Sequence, residues 1–138
     1  MSFVQGGTAR AVIDADITGT TIVRVTDGGT LEVGRSVGSG QTVILNGPSV
    51  LQIDRPAAFA GQVNLIGGQI DLEGLANADS YTFQNDMLSI FSAGKVIDTL
   101  RLTDSTTNGF VVQQAAGSVN VLGIIDPNNP PPGLPIHT

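Results

Sequence analysis

The 138-residue chain contains no cysteine and no tryptophan, one tyrosine and one histidine, and few charged side chains. The absence of cysteine excludes disulfides, thiolate metal sites and a cysteine nucleophile. Charged residues make up 13% of the chain, about half the usual share, so Gly, Ser, Thr, Asn and Gln must cover much of the surface. The six basic residues, Arg10, Arg24, Arg35, Arg55, Lys95 and Arg101, are scattered singly in a chain of net charge -6. Nucleic-acid binding and attraction to an anionic membrane both need clustered cations, so neither is expected. No run approaches the ~18 apolar residues of a membrane-crossing helix. Residues 1–10 lack the basic start and apolar stretch of an export signal.

What is present is aliphatic and turn-forming. Apolar residues reach 41%, too many for a disordered chain of such low charge. They recur in pairs at i, i+2, the strand period that places alternate side chains on one face. The pairs are Val23/Val25, Leu31/Val33, Val43/Leu45, Leu51/Ile53, Val63/Leu65 and Ile70/Leu72, followed by Tyr81/Phe83, Leu88/Ile90, Leu100/Leu102, Phe110/Val112 and Val119/Val121. Turn formers such as Asp27-Gly28-Gly29, Gly38-Ser39-Gly40, Asn46-Gly47-Pro48 and Gly67-Gly68 separate the earlier pairs. Helix is disfavoured by the density of Val, Ile, Thr and Gly. One helical turn is allowed at Pro56 to Ala60 and another at Leu72 to Ala78.

The pairs keep a longer period. Ile13, Val33 and Ile53 are 20 residues apart, with Leu72 after 19; Val25, Leu45 and Leu65 are 20 apart, with Phe83 after 18. Two interleaved series of one period predict two strands per coil, each coil burying the inward face of the next. The expected fold is all-β, a parallel β-helix or β-solenoid with coils of about 20 residues. We expect one domain over residues 1–125, with regular coils over 10–66. Over 67–125 the rhythm tightens, and Asn85-Asp86, Ala93-Gly94 and Asn108-Gly109 read as hairpin turns. That part either continues as irregular coils or folds back as an antiparallel cap over the open end. Residues 126–138, rich in proline, read as an extended tail.

The stretch Gly29-Thr-Leu-Glu-Val-Gly-Arg-Ser-Val-Gly-Ser-Gly-Gln-Thr-Val-Ile-Leu resembles passenger repeats of bacterial autotransporter-type surface proteins. Leu51-Gln-Ile-Asp-Arg-Pro-Ala-Ala-Phe-Ala-Gly-Gln-Val, Gly68-Gln-Ile-Asp-Leu-Glu-Gly-Leu, Leu88-Ser-Ile, Val96-Ile-Asp-Thr-Leu-Arg-Leu and Phe110-Val-Val are together similar to a module repeated in large secreted proteins of alphaproteobacteria. The resemblance covers roughly residues 25 to 122. It implies an extracellular β-solenoid used for adhesion, display or matrix formation, with no catalytic residues to carry over.

A search for chemistry yields little. His137 stands in the proline-rich tail, a poor place for a base that catalysis must hold rigidly. Asp14/Asp16 and Asp71/Glu73 each share a strand face, which could suit acid–base cleavage of a glycoside, but the aromatic platform around a sugar is missing. Calcium could find oxygens at Asp27-Gly28-Gly29 or at Asp79 and Asp86, without the Gly-Gly-x-Gly-x-Asp phrase of calcium-binding repeats. Gly34 to Gly40 lacks the ending of a phosphate loop. Asn46, Asn77, Asn85 and Asn108 fit turns, since they tolerate left-handed backbone. We expect no catalytic, cofactor or metal site.

The expected role is therefore structural: an extracellular or cell-surface protein that associates with itself, end to end, into filaments of a biofilm matrix, surface layer or adhesive. Its ends would expose strand edges, with Phe3 and Val4 as apolar groups near the start. The alternative is a module of an adhesin that binds cell-surface glycans or another surface. The expected export route has no visible signal peptide.

Overall fold

A computed structural model describes residues 2–4, 10–13, 16–26, 28–46, 48–103, 110–123, 128 and 133–134. Among them there is no α-helix. The strands are β1 (Ser2–Val4), β2 (Arg10–Ile13), β3 (Thr21–Thr26), β4 (Thr30–Val33), β5 (Gln41–Asn46), β6 (Val50–Ile53), β7 (Gln62–Ile66), β8 (Gln69–Glu73), β9 (Ser80–Gln84), β10 (Met87–Ser92), β11 (Lys95–Thr103), β12 (Phe110–Ala115) and β13 (Ser118–Gly123). Pro56–Ala58 forms a single 3-10 turn.

Up to β8 the chain alternates between two sheets. Strands β1, β3, β5 and β7 lie side by side and parallel in one, and β2, β4, β6 and β8 do the same in the other. The registers follow the sequence period. Ile13, Val33, Ile53 and Leu72 are successive register partners, as are Val25, Leu45 and Leu65. Each inward aliphatic therefore sits beside its equivalent one round of chain earlier, at the ~4.8 Å spacing of paired strands. Val25, Leu45, Leu51, Ile53, Val63, Ile70 and Leu72 are fully buried between the sheets. A short third run links the two sheets on one side, where Ile17, Val37 and Phe59 form parallel bridges. The corners that follow it are tight. A Cβ on Gly40 would lie 2.4 Å from the Gly19 carbonyl oxygen, and one on Gly61 would lie 2.9 Å from that of Gln41. Glycine is needed there because backbones of successive rounds touch.

After β8 the pairing reverses. Strands β9, β10 and β11 form an antiparallel meander whose last strand, β11, pairs in parallel with β7. Strands β12 and β13 form a hairpin, and β13 pairs antiparallel with β8. The first sheet runs β1-β3-β5-β7-β11-β10-β9 and the second β12-β13-β8-β6-β4-β2. Both sheets are mixed and neither closes, so the fold is not a plain parallel β-helix. Of the two courses open to residues 67–125, the antiparallel one is taken from β9 onward, while β8 still stacks in parallel on β6.

The turns Asn85-Asp86 and Ala93-Gly94 are two-residue hairpin loops with positive φ at both positions, as type I′ geometry requires. Ala116-Gly117 forms a third two-residue loop that the sequence reading did not single out. Asn108-Gly109 lies outside the described residues. Two expectations need correction. Leu72 to Ala78 is not helical: β8 runs to Glu73, and positive φ at Gly74 and Asn77 breaks the path. Phe83 does not stack on Leu65, because β11 occupies the place beside β7, with Leu102 against Val63. Phe83 stands instead on the outermost strand, edge-on to Phe110 at 5.0 Å between ring centres, with Tyr81 6.1 Å from Phe110. These three rings close the gap between the sheets at the far end, where no further strand limits their bulk.

Candidate functional site

The outer face of the second sheet carries a row running across all six strands: Val12, Glu32, Gln52, Asp71, Asn120 and Gln113. Strand alternation puts them there, opposite the buried Leu and Ile of the same strands. Arg10 donates to Glu32 and, at 3.3 Å, to Gln52; Gln52 donates to Asp54 at 2.9 Å and Gln69 to Asp71 at 2.5 Å. A hydrogen bond with the Asp54 carboxyl, followed by partial burial, holds Glu32 above the usual carboxylate range, while Arg10 acts in the opposite direction. Glu32 and Asp54 lie close together on an open sheet face, not in a cleft. A surface hollow of about 410 Å³ lies elsewhere and is lined by Ser39, Phe59, Gly61, Gln62, Met87 and Arg101 among others, with no carboxylate.

The carboxylates singled out by sequence fare differently. Asp71 and Glu73 do share the outer face of β8. Asp16 is exposed and accepts the Ser36 hydroxyl at 2.8 Å and its N–H at 3.3 Å; these bonds keep its carboxyl below the ordinary range. Asp14, Asp27 and His137 lie outside the described residues. Asp79 and Asp86 flank opposite ends of the five-residue β9, roughly 15–20 Å apart by strand rise, so they cannot share one ion. Asp79 instead accepts the Ala93 N–H and the Ser80 hydroxyl, both at 2.9 Å. Among the described residues, no group of three or more His, Cys, Asp or Glu side chains is placed to hold a metal ion. Asn77 and Asn85 occupy left-handed turn positions.

Among the inward polar groups that the sequence reading missed are Asp98 and Gln114. Asp98 shares the inner face of β11 with Leu100 and Leu102 and is only 7% exposed. Among the described residues one of its oxygens has no hydrogen-bond partner, and burial pushes its carboxyl up to about 6, partly offset by the Thr99 N–H. Alternation with Leu100 and Leu102 was the signal that could have found it. Gln114 falls in the inner row beside Val119. Its side-chain oxygen accepts the Ala78 N–H at 2.6 Å, and its amide donates to the carbonyls of Leu75 (3.1 Å) and Ser118 (2.8 Å). Gln114 thus ties down the segment between β8 and β9.

The remaining features with functional meaning are the sheet edges. At one end these are β1 and β2; at the other, β9 and β12. The sense of each strand follows from the pairings. In the first sheet β11 runs with β7, β10 against it, and β9 again with it. In the second, β13 runs against β8 and β12 again with it. Both far-edge strands therefore run in the same sense as the near-edge strands of their own sheet. The core is incompletely covered at both ends: Ala11, Ile13 and Ile17 are half-buried at one, Tyr81 and Phe110 at the other, and Val12 (57% exposed) and Phe83 (37%) stand out beside them. Comparison of the chain with family models, curated proteins and solved structures finds no match.

Proposed function

We propose that the chain is a structural protein that stacks end to end with copies of itself outside the cell, its parallel rounds forming a β-solenoid that continues from one copy to the next. The observation that carries this reading is the agreement of strand sense at the two ends, in both sheets at once. A second copy displaced along the stack brings its β1 and β2 alongside β9 and β12 with every new pair parallel. Such a contact joins two different surfaces and does not close on itself, so it propagates into a filament. It also covers the half-buried side chains at both ends, and main-chain pairing across an edge is an established mode of association. The extracellular setting rests on composition: low charge and an abundance of Gly, Ser, Thr, Asn and Gln.

A sugar-binding role has weaker support. The surface hollow offers one ring, Phe59, and that ring is buried.

Negative-stain electron microscopy with light scattering tests the reading. The protein is expected to form unbranched filaments as its concentration rises. Phe83→Lys and Val12→Lys, which put a charge at opposite ends, each stop growth while leaving the circular dichroism of the folded chain unchanged. A wild-type protein that stays monomeric at high concentration overturns the proposal, and closed dimers replace it with a two-fold contact between like ends.

A further inference from the structure

The two far edges are not equally open. In the β12–β13 hairpin, the two-residue loop makes Ala115 and Ser118 a hydrogen-bonded pair, and by alternation Gln113 and Val111 also bond back to β13. The Val112 carbonyl is thereby directed away from the sheet. It is already taken: the Leu134 N–H donates to it at 2.7 Å. Leu134 packs against the core, half-buried. Gly133 lies so close to β12 that a Cβ there would come within 2.1 Å of Val111 Cγ1 and 2.9 Å of the Val112 oxygen. With valine at position 111, residue 133 must therefore be glycine for Leu134 to seat; trimming Val111 removes the nearest collision. Residues 133–134 cover the edge of the second sheet, where the proposed stacking would place β2 of the next copy.

From this occupancy we infer that Gly133-Leu134 is a built-in guard, an autoinhibitory strap that blocks the β12 edge until a second copy displaces it. The inference rests on the stacking proposed above. Among the described residues, displacement exchanges the Leu134–Val112 main-chain hydrogen bond and one half-buried Leu for a full strand pair, so the guard slows docking without forbidding it. Unguarded edges are the common route to uncontrolled strand pairing, and covering them with the chain's own segment is a standard defence.

The geometry supplies its own test. The Cβ that a side chain at 133 would carry lies 3.5 Å from Val111 Cβ, within the range that a disulfide spans. The double variant Val111→Cys/Gly133→Cys introduces the only two thiols in the chain. Oxidised, it is expected to remain monomeric in light scattering; reduced by dithiothreitol, the same molecules assemble. Gly133→Val, which expels the strap, is expected to assemble about tenfold faster than wild type, the size set by the loss of one net hydrogen bond and a half-buried Leu. Failure of the cross-link to form overturns the inference, because the tail is then not on β12. A cross-link that forms while oxidised and reduced proteins assemble equally fast overturns the guard alone and leaves stacking intact. If the cross-link forms and no variant assembles, including Gly133→Val, stacking itself falls and the guard with it.

Discussion

The buried carboxyl of Asp98 gives the protein a stability that should fall as pH rises through the weakly acidic range. Its side chain faces the core with one oxygen unpartnered, and burial raises it to about 6, against about 3.9 for an aspartate in an unfolded chain. Below about pH 4 both states hold the proton and the group costs nothing beyond its polarity. Between about pH 4 and 6 the folded state keeps a proton that the unfolded state has lost, so unfolding becomes easier as pH climbs, and the loss is complete above the folded value. Two units at ~1.4 kcal/mol each give about 3 kcal/mol, and relaxation of the surroundings about the buried charge brings the expected change nearer 2. Two other carboxyls are shifted: Glu32 is raised and adds a loss of the same sign as pH rises, whereas Asp16 is lowered and its contribution is lost as pH falls, on the acid side. Asp98→Asn removes only the Asp98 contribution. Urea melts of dilute wild type and Asp98→Asn, followed by far-ultraviolet circular dichroism at pH 4 and pH 7, isolate it. Whatever constant offset the amide introduces, the variant should gain about 2 kcal/mol on wild type between the two pH values. A difference between the proteins that is unchanged with pH would refute the reasoning and show that Asp98 is solvated.

Leu51 is fully buried in the inner row between Leu31 and Ile70, so Leu51→Ala should lower unfolding free energy by about 2–5 kcal/mol in the same melts. Gly40→Ala places a methyl 2.4 Å from a backbone carbonyl and should cost about 1–3 kcal/mol, read as an earlier thermal transition; an unchanged transition would mean the corners are looser than they stand. Gln114→Ala leaves the Ala78 N–H without its partner, with an expected cost of about 1–3 kcal/mol. Hydrogen exchange should also speed up at residues 75–78 before the rest of the protein is affected.

The parts of this protein that the sequence by itself determined are those whose cause is local or strictly periodic. Alternation at Leu31/Val33 or Leu51/Ile53 sets which side chains face inward, and the 20-residue recurrence of Ile13, Val33 and Ile53 gives the register, because parallel stacking turns a chain interval into a lateral neighbour. The left-handed turns at Asn85-Asp86 and Ala93-Gly94 were legible for a local reason too: a two-residue loop between paired strands itself demands left-handed backbone. The tertiary structure alone decided what depends on competition between distant segments. It made β11, not β9, the neighbour of β7, because Leu102 fits the row beside Val63 while the larger Tyr81 and Phe83 need the unbounded space at the edge. It set Asp54 against Glu32, and it seated Gly133 and Leu134 on β12, a contact between chain positions with no period in common. The strand sense at the two ends, on which the proposed assembly rests, is likewise a sum over all the pairings and belongs to no single stretch of sequence.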